Sequence, residues 1–220
     1  MIIKINPNFP EEKIILKSVE ILIRGGLIVY PTETAYGLGC DAYNEEAIKK
    51  LFVLKKRSIS QPCSVIVSSQ EMIEEIAYVN DQANILINKF LPGPLVIALP
   101  KKKVIPDILN SNGIAFRISS NKIAHLITNL LKRPLVSTSA NITGDTPPYS
   151  IDDVIQSLDQ NKIDLILDSG NIPKNIPSTI VDFLLEMSPQ ITREGEITKE
   201  EILKTLNIPK YLWENHFTKK

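Results

Sequence analysis

The chain has 220 residues, of which 43% are hydrophobic and 23% are charged, as expected for a globular protein with one sizeable core. Its 25 basic residues balance its 25 acidic residues, which argues against a dedicated nucleic-acid binder, because such proteins usually carry a basic excess. Two cysteines, Cys40 and Cys63, are too few for a disulfide framework, and with only His125 and His216 as histidines we expect no metal site.

The first half of the chain alternates between helical and strand-like segments. Apolar residues at helical spacing predict a first helix that ends at Gly25 and Gly26, and Asn44 is placed to cap a second one. Ser68 and Glu71 have the spacing of a capping box for a third helix. The elements predicted here are helices within 10–26, 45–57, 70–77 and 81–90 and strands within 27–31, 64–69 and 95–102.

The second half continues the alternation less regularly. Two capping patterns, at Ser150 and Asp153 and at Thr198 and Glu201, each predict the start of a helix. Several successive strands lack an intervening helix, so we predict an α/β fold with a twisted mixed sheet and flanking helices. The other elements predicted here are a helix within 121–131 and strands within 114–118, 134–139, 164–170, 178–184 and 189–195.

Two polar clusters follow elements of the first half. Segment 30–42 combines hydroxyl groups, a carboxylate and two glycines directly after a strand, a pattern that a simple glycine turn also explains. Segment 54–62 begins with three basic residues at a helix end, where cations commonly complement the helix dipole. The functional alternative is a phosphate clamp, because the guanidinium of Arg57 matches phosphate oxygens and the ammonium of Lys55 is a point charge.

Two further clusters follow strands of the second half, where open α/β sheets usually place ligands. Segment 134–145 holds more hydroxyl and amide side chains than a turn needs, which favours a role as donors to phosphate or carboxylate. The fourth cluster is divided between 177–183 and 192–198. Arg117 lies within an apolar strand, so burial would require an anionic partner, either a structural carboxylate or a ligand.

Together these clusters resemble the YrdC-like family, which contains the L-threonylcarbamoyladenylate synthases. The segments YPTETAYGLGCDA, LKKR, FRI, STSANITG, PSTIVDF and REG occur in the family's order and approximate spacing. The resemblance implies a deep, positively lined cavity and a nucleotidyltransferase that forms threonylcarbamoyl-AMP and pyrophosphate from L-threonine, bicarbonate or CO2, and ATP with Mg2+. The product would serve the N6-threonylcarbamoyladenosine modification at position 37 of tRNAs that read ANN codons.

The resemblance also implies roles for residues at matching positions. The expected catalytic residues, which also contact the nucleotide phosphates, are Lys55, Arg57, Ser139 and Asn141. The expected contacts of L-threonine are Thr32, Thr34, Arg117 and Thr138. The further expected nucleotide contacts are Gln61, Ser178, Thr179 and Arg193. No metal ligand is expected from the protein.

The sequence departs from the family pattern after the second helix, where Ser58 replaces a proline and Gln61 stands where asparagine is frequent. Two alternatives therefore stay open: an RNA-binding module without this activity, and a relative with a different small-molecule substrate. We expect a single catalytic domain over 1–206 with a short tail over 207–220, as in the short form of the family. The expected partners are the tRNA threonylcarbamoyl-transferring enzymes, with weak tRNA binding, in the cytoplasm and without a membrane.

Overall fold

The computed structural model describes residues 1–184 and 189–209 of the chain. These residues form ten strands, seven α-helices and one short 3-10 helix (Gln160–Lys162). The strands are β1 (Ile2–Lys4), β2 (Ile28–Pro31), β3 (Tyr36–Gly39), β4 (Ser64–Ile66), β5 (Leu95–Pro100), β6 (Gly113–Arg117), β7 (Leu135–Ser139), β8 (Leu165–Asp168), β9 (Thr179–Asp182) and β10 (Gln190–Arg193). The helices are α1 (Glu12–Ile23), α2 (Glu45–Leu54), α3 (Gln70–Ile76), α4 (Asp81–Phe90), α5 (Lys122–Leu131), α6 (Ile151–Ser157) and α7 (Lys199–Thr205).

All ten described strands join one sheet in the order β1-β8-β2-β3-β7-β4-β6-β5-β9-β10. The pairs β1–β8, β2–β8, β4–β6 and β5–β9 are parallel, and the remaining pairs are antiparallel. Antiparallel strands need only short connections, whereas parallel strands need a crossover, which is why helices intervene irregularly along the chain. The predicted mixed sheet with flanking helices is confirmed.

The sheet separates two apolar cores. The larger core joins one face to α2, α3, α4 and α7, with Leu51, Phe116 and Val136 fully buried. The smaller core packs α1 and α5 on the other face, where Leu22 and Ile127 are fully buried. Helix α5 packs mainly on β2 and β4. The two helices therefore cover only one part of this second face.

Most of the predicted helix starts are confirmed by their capping hydrogen bonds. The structure places caps as predicted at Asn44, Ser150 and Thr198, the last two with complete capping boxes. The capping box predicted for α3 from Ser68 and Glu71 is wrong. Ser69 is the cap, because its extended backbone lets its hydroxyl accept a hydrogen bond from Met72 N, the third helical amide.

Strand β3 lies in a segment for which the sequence predicted only a polar turn. It passes very close to its neighbours: a Cβ atom on Gly39 would lie 2.5 Å from Val136 O and 2.9 Å from the Tyr30 ring. Glycine is therefore required at this position to let β2, β3 and β7 approach each other. The strand connects the two halves of the sheet, since β3 pairs with both β2 and β7.

The domain boundary stays a prediction, and residues 210–220 of the predicted tail, with His216, lie outside the described residues. None of the helices in the described part of the chain combines the length and the apolar character needed to cross a membrane.

Candidate active site

A cavity of about 540 Å³ opens on the second face of the sheet, beside the area that α1 and α5 cover. Strands β4 and β7 mark the boundary. Ile66 and Leu135 belong to the core under the helices, whereas Ser64 and Ser137 line the cavity. Residues two apart in a strand share a face, so the change from large apolar to small polar side chains creates the opening. Its volume suits a small-molecule ligand.

Apolar side chains, most of them small, complete the lining of this cavity. They come from alternate positions of neighbouring strands: Val96, Ala98, Ala115 and Ile180. Sequence reasoning missed them, because alanine and valine in an apolar strand are typical of an ordinary core. The available signal was the small size of Ala98 and Ala115, since small residues at alternate positions of paired strands leave space on that face.

The cavity brings together eight of the predicted site residues: Thr32, Thr34, Arg57, Arg117, Thr138, Ser139, Ser178 and Arg193. Asp182 is the one carboxylate among the described lining residues, so three arginines face a single acidic group. The arginines therefore outnumber the carboxylate in the described lining. A smaller cleft of about 330 Å³, next to Lys4 and Asp168, contains none of the predicted residues.

Lys55 and Asn141 lie behind the described lining of the cavity, and their predicted contact with phosphate stays a prediction. Only 1% of Lys55 is exposed, and its ammonium donates to the main-chain oxygens of Ser139 and Asn141, each at 2.5 Å. The Asn141 side chain accepts from Ser139 Oγ at 2.5 Å and donates to Asp145 O at 2.7 Å. Both residues thus fix the loop after β7 that presents Ser139 to the cavity.

Arg57 faces the cavity and also organises its own loop. Its Nε donates to Gln61 O at 3.1 Å and its Nη2 donates to Pro62 O at 2.5 Å. These bonds orient the guanidinium and leave its other N–H donors for a ligand. The Gln61 side chain is exposed and lies outside the described lining, so its predicted contact with nucleotide stays a prediction, and its main-chain oxygen is the atom that holds Arg57.

The two parts of the fourth polar cluster meet where β9 pairs with β10. Thr179, predicted to contact nucleotide, is fully buried and does not line the cavity. Its hydroxyl donates to Ile197 O at 2.5 Å and accepts from Gly195 N at 2.9 Å. Arg193 Nε donates to Ser178 O at 2.9 Å, which places Arg193 and Ser178 together at the cavity. Thr179 therefore supports the site from inside the fold.

Arg117 has a structural carboxylate as one partner, which is the first of the two alternatives left open by the sequence. Arg117 forms an ion pair with Glu33, and the second carboxylate oxygen of Glu33 accepts a hydrogen bond from Ser119 Oγ. Burial lowers the pKa of Arg117 to about 10, so the guanidinium remains charged at neutral pH. Sequence reasoning did not assign Glu33, although its position between Thr32 and Thr34 was a signal.

The comparisons with known proteins fit this geometry. The family model Sua5_yciO_yrdC, described as telomere recombination, matches residues 20–195. The chain belongs to the Sua5–YciO–YrdC family. The predicted resemblance to YrdC-like proteins is thereby confirmed.

Relatives and solved structures of the Sua5–YciO–YrdC family align with most of the chain. The chain is 39% identical over 183 residues to the Methanocaldococcus jannaschii protein named "Putative threonylcarbamoyl-AMP synthase". This alignment covers 83% of this chain and 86% of that protein. The chain is 34% identical over 209 residues to the Pyrococcus abyssi threonylcarbamoyl-AMP synthase, covering 94% of this chain but 61% of that protein. The crystal structure of P. abyssi Sua5 complexed with L-threonine superimposes with a TM-score of 0.87, at 34% identity, over 93% of this chain and 60% of that one.

The structure explains how this Sua5–YciO–YrdC domain accommodates its departure at Ser58. The Ser58 hydroxyl accepts from Ser60 N at 3.2 Å and lies 2.7 Å from Ser60 Oγ. This local turn replaces the constraint that a proline ring would give. The loop that carries Arg57 is therefore ordered by hydrogen bonds from its own side chains.

Cysteine chemistry finds no support at the cavity of this family member. Cys63 lines the cavity, but burial raises the pKa of its thiol, and burial also raises the pKa of Cys40. A raised thiol pKa disfavours the nucleophilic thiolate. His125 lies on α5 and does not line the cavity.

The titration of Lys55 gives a prediction about stability. Burial, and secondarily Arg57, lower the pKa of Lys55 from 10.5 to about 8. The folded chain therefore binds the Lys55 proton less tightly than the unfolded chain does, and this cost to stability fades as pH rises from about 8 to 10.5. Over this range we expect the free energy of unfolding of the wild type to rise relative to that of Lys55→Met. Urea unfolding of both proteins at about pH 7.5 and about pH 10 tests this, and equal pH dependence would contradict it.

Proposed function

We propose that this chain is a threonylcarbamoyl-AMP synthase, which converts L-threonine, bicarbonate or CO2, and ATP into threonylcarbamoyl-AMP and pyrophosphate. The observation that carries the proposal is the cavity itself, in which Arg57, Arg117 and Arg193 meet the hydroxyls of the predicted site. The curated relatives from M. jannaschii and P. abyssi, which bear this name, support it at 39% and 34% identity.

The chemistry asks the protein for alignment and charge neutralisation. The amine of threonine, once deprotonated, attacks CO2 and gives a carbamate. A carbamate oxygen then attacks the α-phosphorus of ATP, the bond to the β-phosphate oxygen breaks, and pyrophosphate leaves. Because carbamate and triphosphate are both anions, fixed cations around them lower the barrier without a protein nucleophile. Arg57 and Arg193 supply such charges at the cavity.

The threonine end of the cavity combines one cation with hydroxyl groups. Arg117 binds the carboxylate of the amino acid, because a guanidinium fork matches carboxylate geometry. Thr34 lines the cavity and its hydroxyl is positioned to fix the substrate's polar groups, whereas the Thr32 hydroxyl, 3.1 Å away, holds the loop in place. The P. abyssi structure with L-threonine supports this role for the fold.

The cavity also fits Mg2+ that arrives with ATP. Mg2+ bound to nucleotides commonly takes most of its ligands from phosphate and water and only one or two from carboxylates. Asp182 is the carboxylate of the described lining that would hold such a hydrated ion. When bound, the ion neutralises charge on the phosphates. The protein contributes the surrounding arginines and the ordered loop at Ser139.

The product determines the biological setting that we propose. Threonylcarbamoyl-AMP is a mixed anhydride that water hydrolyses, so it must pass promptly to the enzymes that transfer the threonylcarbamoyl group to adenosine 37 of tRNA. We infer a cytoplasmic protein that binds ATP and takes part in tRNA modification, with at most weak affinity for tRNA. The balance of 25 basic and 25 acidic residues supports the weak affinity.

Pyrophosphate release tests the proposed reaction. The purified protein is given ATP, Mg2+ and bicarbonate, and release is measured with and without L-threonine. We expect release that requires threonine. With L-serine we expect a decrease in kcat/KM of about 10- to 200-fold, because one methyl group in a pocket is worth that much discrimination. Release that is equal without threonine, or none at all from protein that binds ATP, would contradict the proposal.

A further inference from the structure

Glu33 lies outside the cavity lining, yet its carboxylate is fully engaged at the cavity wall. One of its oxygens pairs with Arg117 Nη1 and the other accepts from Ser119 Oγ. The side chains of Glu33 and Arg117 are only 15% and 7% exposed. Because both oxygens already have partners, the carboxylate is occupied in holding protein groups and is not presented to a substrate.

The loop that carries Glu33 is itself fixed. Thr32 Oγ1 donates to Ala35 O at 2.7 Å and accepts from the amides of Thr34 and Ala35, each at 3.2 Å. The main-chain oxygen of Glu33 accepts from Asn175 Nδ2 at 2.8 Å. These bonds direct Thr32 and Thr34 to the cavity while Glu33 reaches Arg117.

Burial makes the orientation of Arg117 depend on a partner. Arg117 itself is only 6% exposed, so little water is available to solvate a misplaced guanidinium. A buried charge requires an opposite charge with good geometry. Glu33 supplies that opposite charge at Arg117 Nη1, and Arg117 also lines the cavity.

We propose that Glu33 is the positioning residue of the amino-acid site: it holds Arg117 in the orientation that receives the substrate's carboxylate. This inference rests on the proposed function, in which Arg117 binds threonine. It assigns to Glu33 no contact with substrate and no proton transfer. Glu33 should therefore affect the use of threonine through Arg117 alone, and should leave the nucleotide end of the cavity unchanged.

A double-mutant cycle tests this dependence. The variants are Glu33→Gln, Arg117→Met and the double variant, with Glu200→Gln as a matched control at an exposed carboxylate on α7. We expect Glu33→Gln to raise the threonine KM about tenfold and to change the ATP KM less than about twofold. In the Arg117→Met background the same substitution should change the threonine KM no further. Glu200→Gln should match the wild type.

Two results would overturn the proposal: an unchanged threonine KM in folded Glu33→Gln, or a full additional effect in the Arg117→Met background. If Glu33→Gln fails to fold, Ser119→Ala takes its place, because it removes the hydrogen bond to Glu33, together with one from Asn121 N, and should raise the threonine KM about threefold. Threonine-dependent turnover of the wild type shows whether the role of Glu33 or the proposed function has failed. Absence of threonine-dependent turnover in the wild type contradicts the function, whereas its presence with an unaffected Glu33→Gln variant contradicts only the role of Glu33.

Proton exchange at the Arg117 guanidinium tests the role of Glu33 without a measurement of turnover. In 15N NMR spectra, the guanidinium N–H signal that disappears in Arg117→Met identifies Arg117. A guanidinium held in a buried ion pair exchanges its protons slowly, so this signal should be protected in the wild type and lose protection in Glu33→Gln. Equal protection in both proteins would show that Glu33 does not fix Arg117 and would overturn the proposal.

Discussion

Replacing Arg57 with alanine should lower kcat/KM for ATP about 100-fold or more while the fold stays intact. Arg57 is half-buried at the cavity and its guanidinium is already oriented by the main-chain oxygens of Gln61 and Pro62. Its loss removes a fixed positive charge from the place where two anions must meet. The measurement is threonine-dependent pyrophosphate release, with circular dichroism and thermal unfolding to show that the protein is folded.

Two further variants serve as comparisons for the activity of Arg57→Ala. Lys56→Ala removes a neighbouring charge whose exposed side chain does not line the cavity, so its activity should equal that of the wild type. Arg57→Lys keeps the charge but loses the planar fork, so its activity should lie between those of the wild type and Arg57→Ala. Unchanged turnover in folded Arg57→Ala would remove Arg57 from the site.

Replacing Gly195 with alanine should lower the free energy of unfolding by about 2 kcal/mol or more, because the added methyl group has no space. Its Cβ would lie 2.0 Å from Pro177 O and 2.7 Å from Ser178 C, and these main-chain atoms belong to the segment that leads into β9. Urea unfolding measures the loss. Since Arg193 is held by Ser178 O, the same displacement should also reduce activity.

The neighbouring Glu196 provides the control for Gly195. Its side chain is exposed, so Glu196→Ala should leave the free energy of unfolding within about 0.5 kcal/mol of the wild type. Equal stability of Gly195→Ala and the wild type would show that the packing of β9 against β10 does not require glycine at this position.

The fold was largely predictable because most elements obey local rules. Amphipathic spacing and capping residues such as Asn44 and Ser150 act within one helix, so the sequence alone reveals them. Strand β3 was not predicted, because its two glycines suggest a turn when the neighbouring strands are unknown. Gly39 is glycine on account of Val136 and Tyr30, which are brought to it only by the folded sheet.

The site was predicted at the level of segments and less well at the level of side chains. Every polar cluster reaches the cavity or its wall, since strand ends gather at the edges of a sheet. Whether a hydroxyl or ammonium faces a ligand or the protein depends on tertiary partners. Thr179 and Lys55 turned inward because main-chain groups of Gly195, Ile197, Ser139 and Asn141 required hydrogen bonds there.

Incorporation of 13C-labelled bicarbonate is the most direct test of whether this chain forms threonylcarbamoyl-AMP. The protein is incubated with ATP, Mg2+, L-threonine and the labelled bicarbonate, and the adenylate formed is examined by mass spectrometry. We expect a threonine-dependent adenylate that carries one 13C atom between the amino group and AMP. An adenylate without the label, or no adenylate in a protein that binds both substrates, would contradict it.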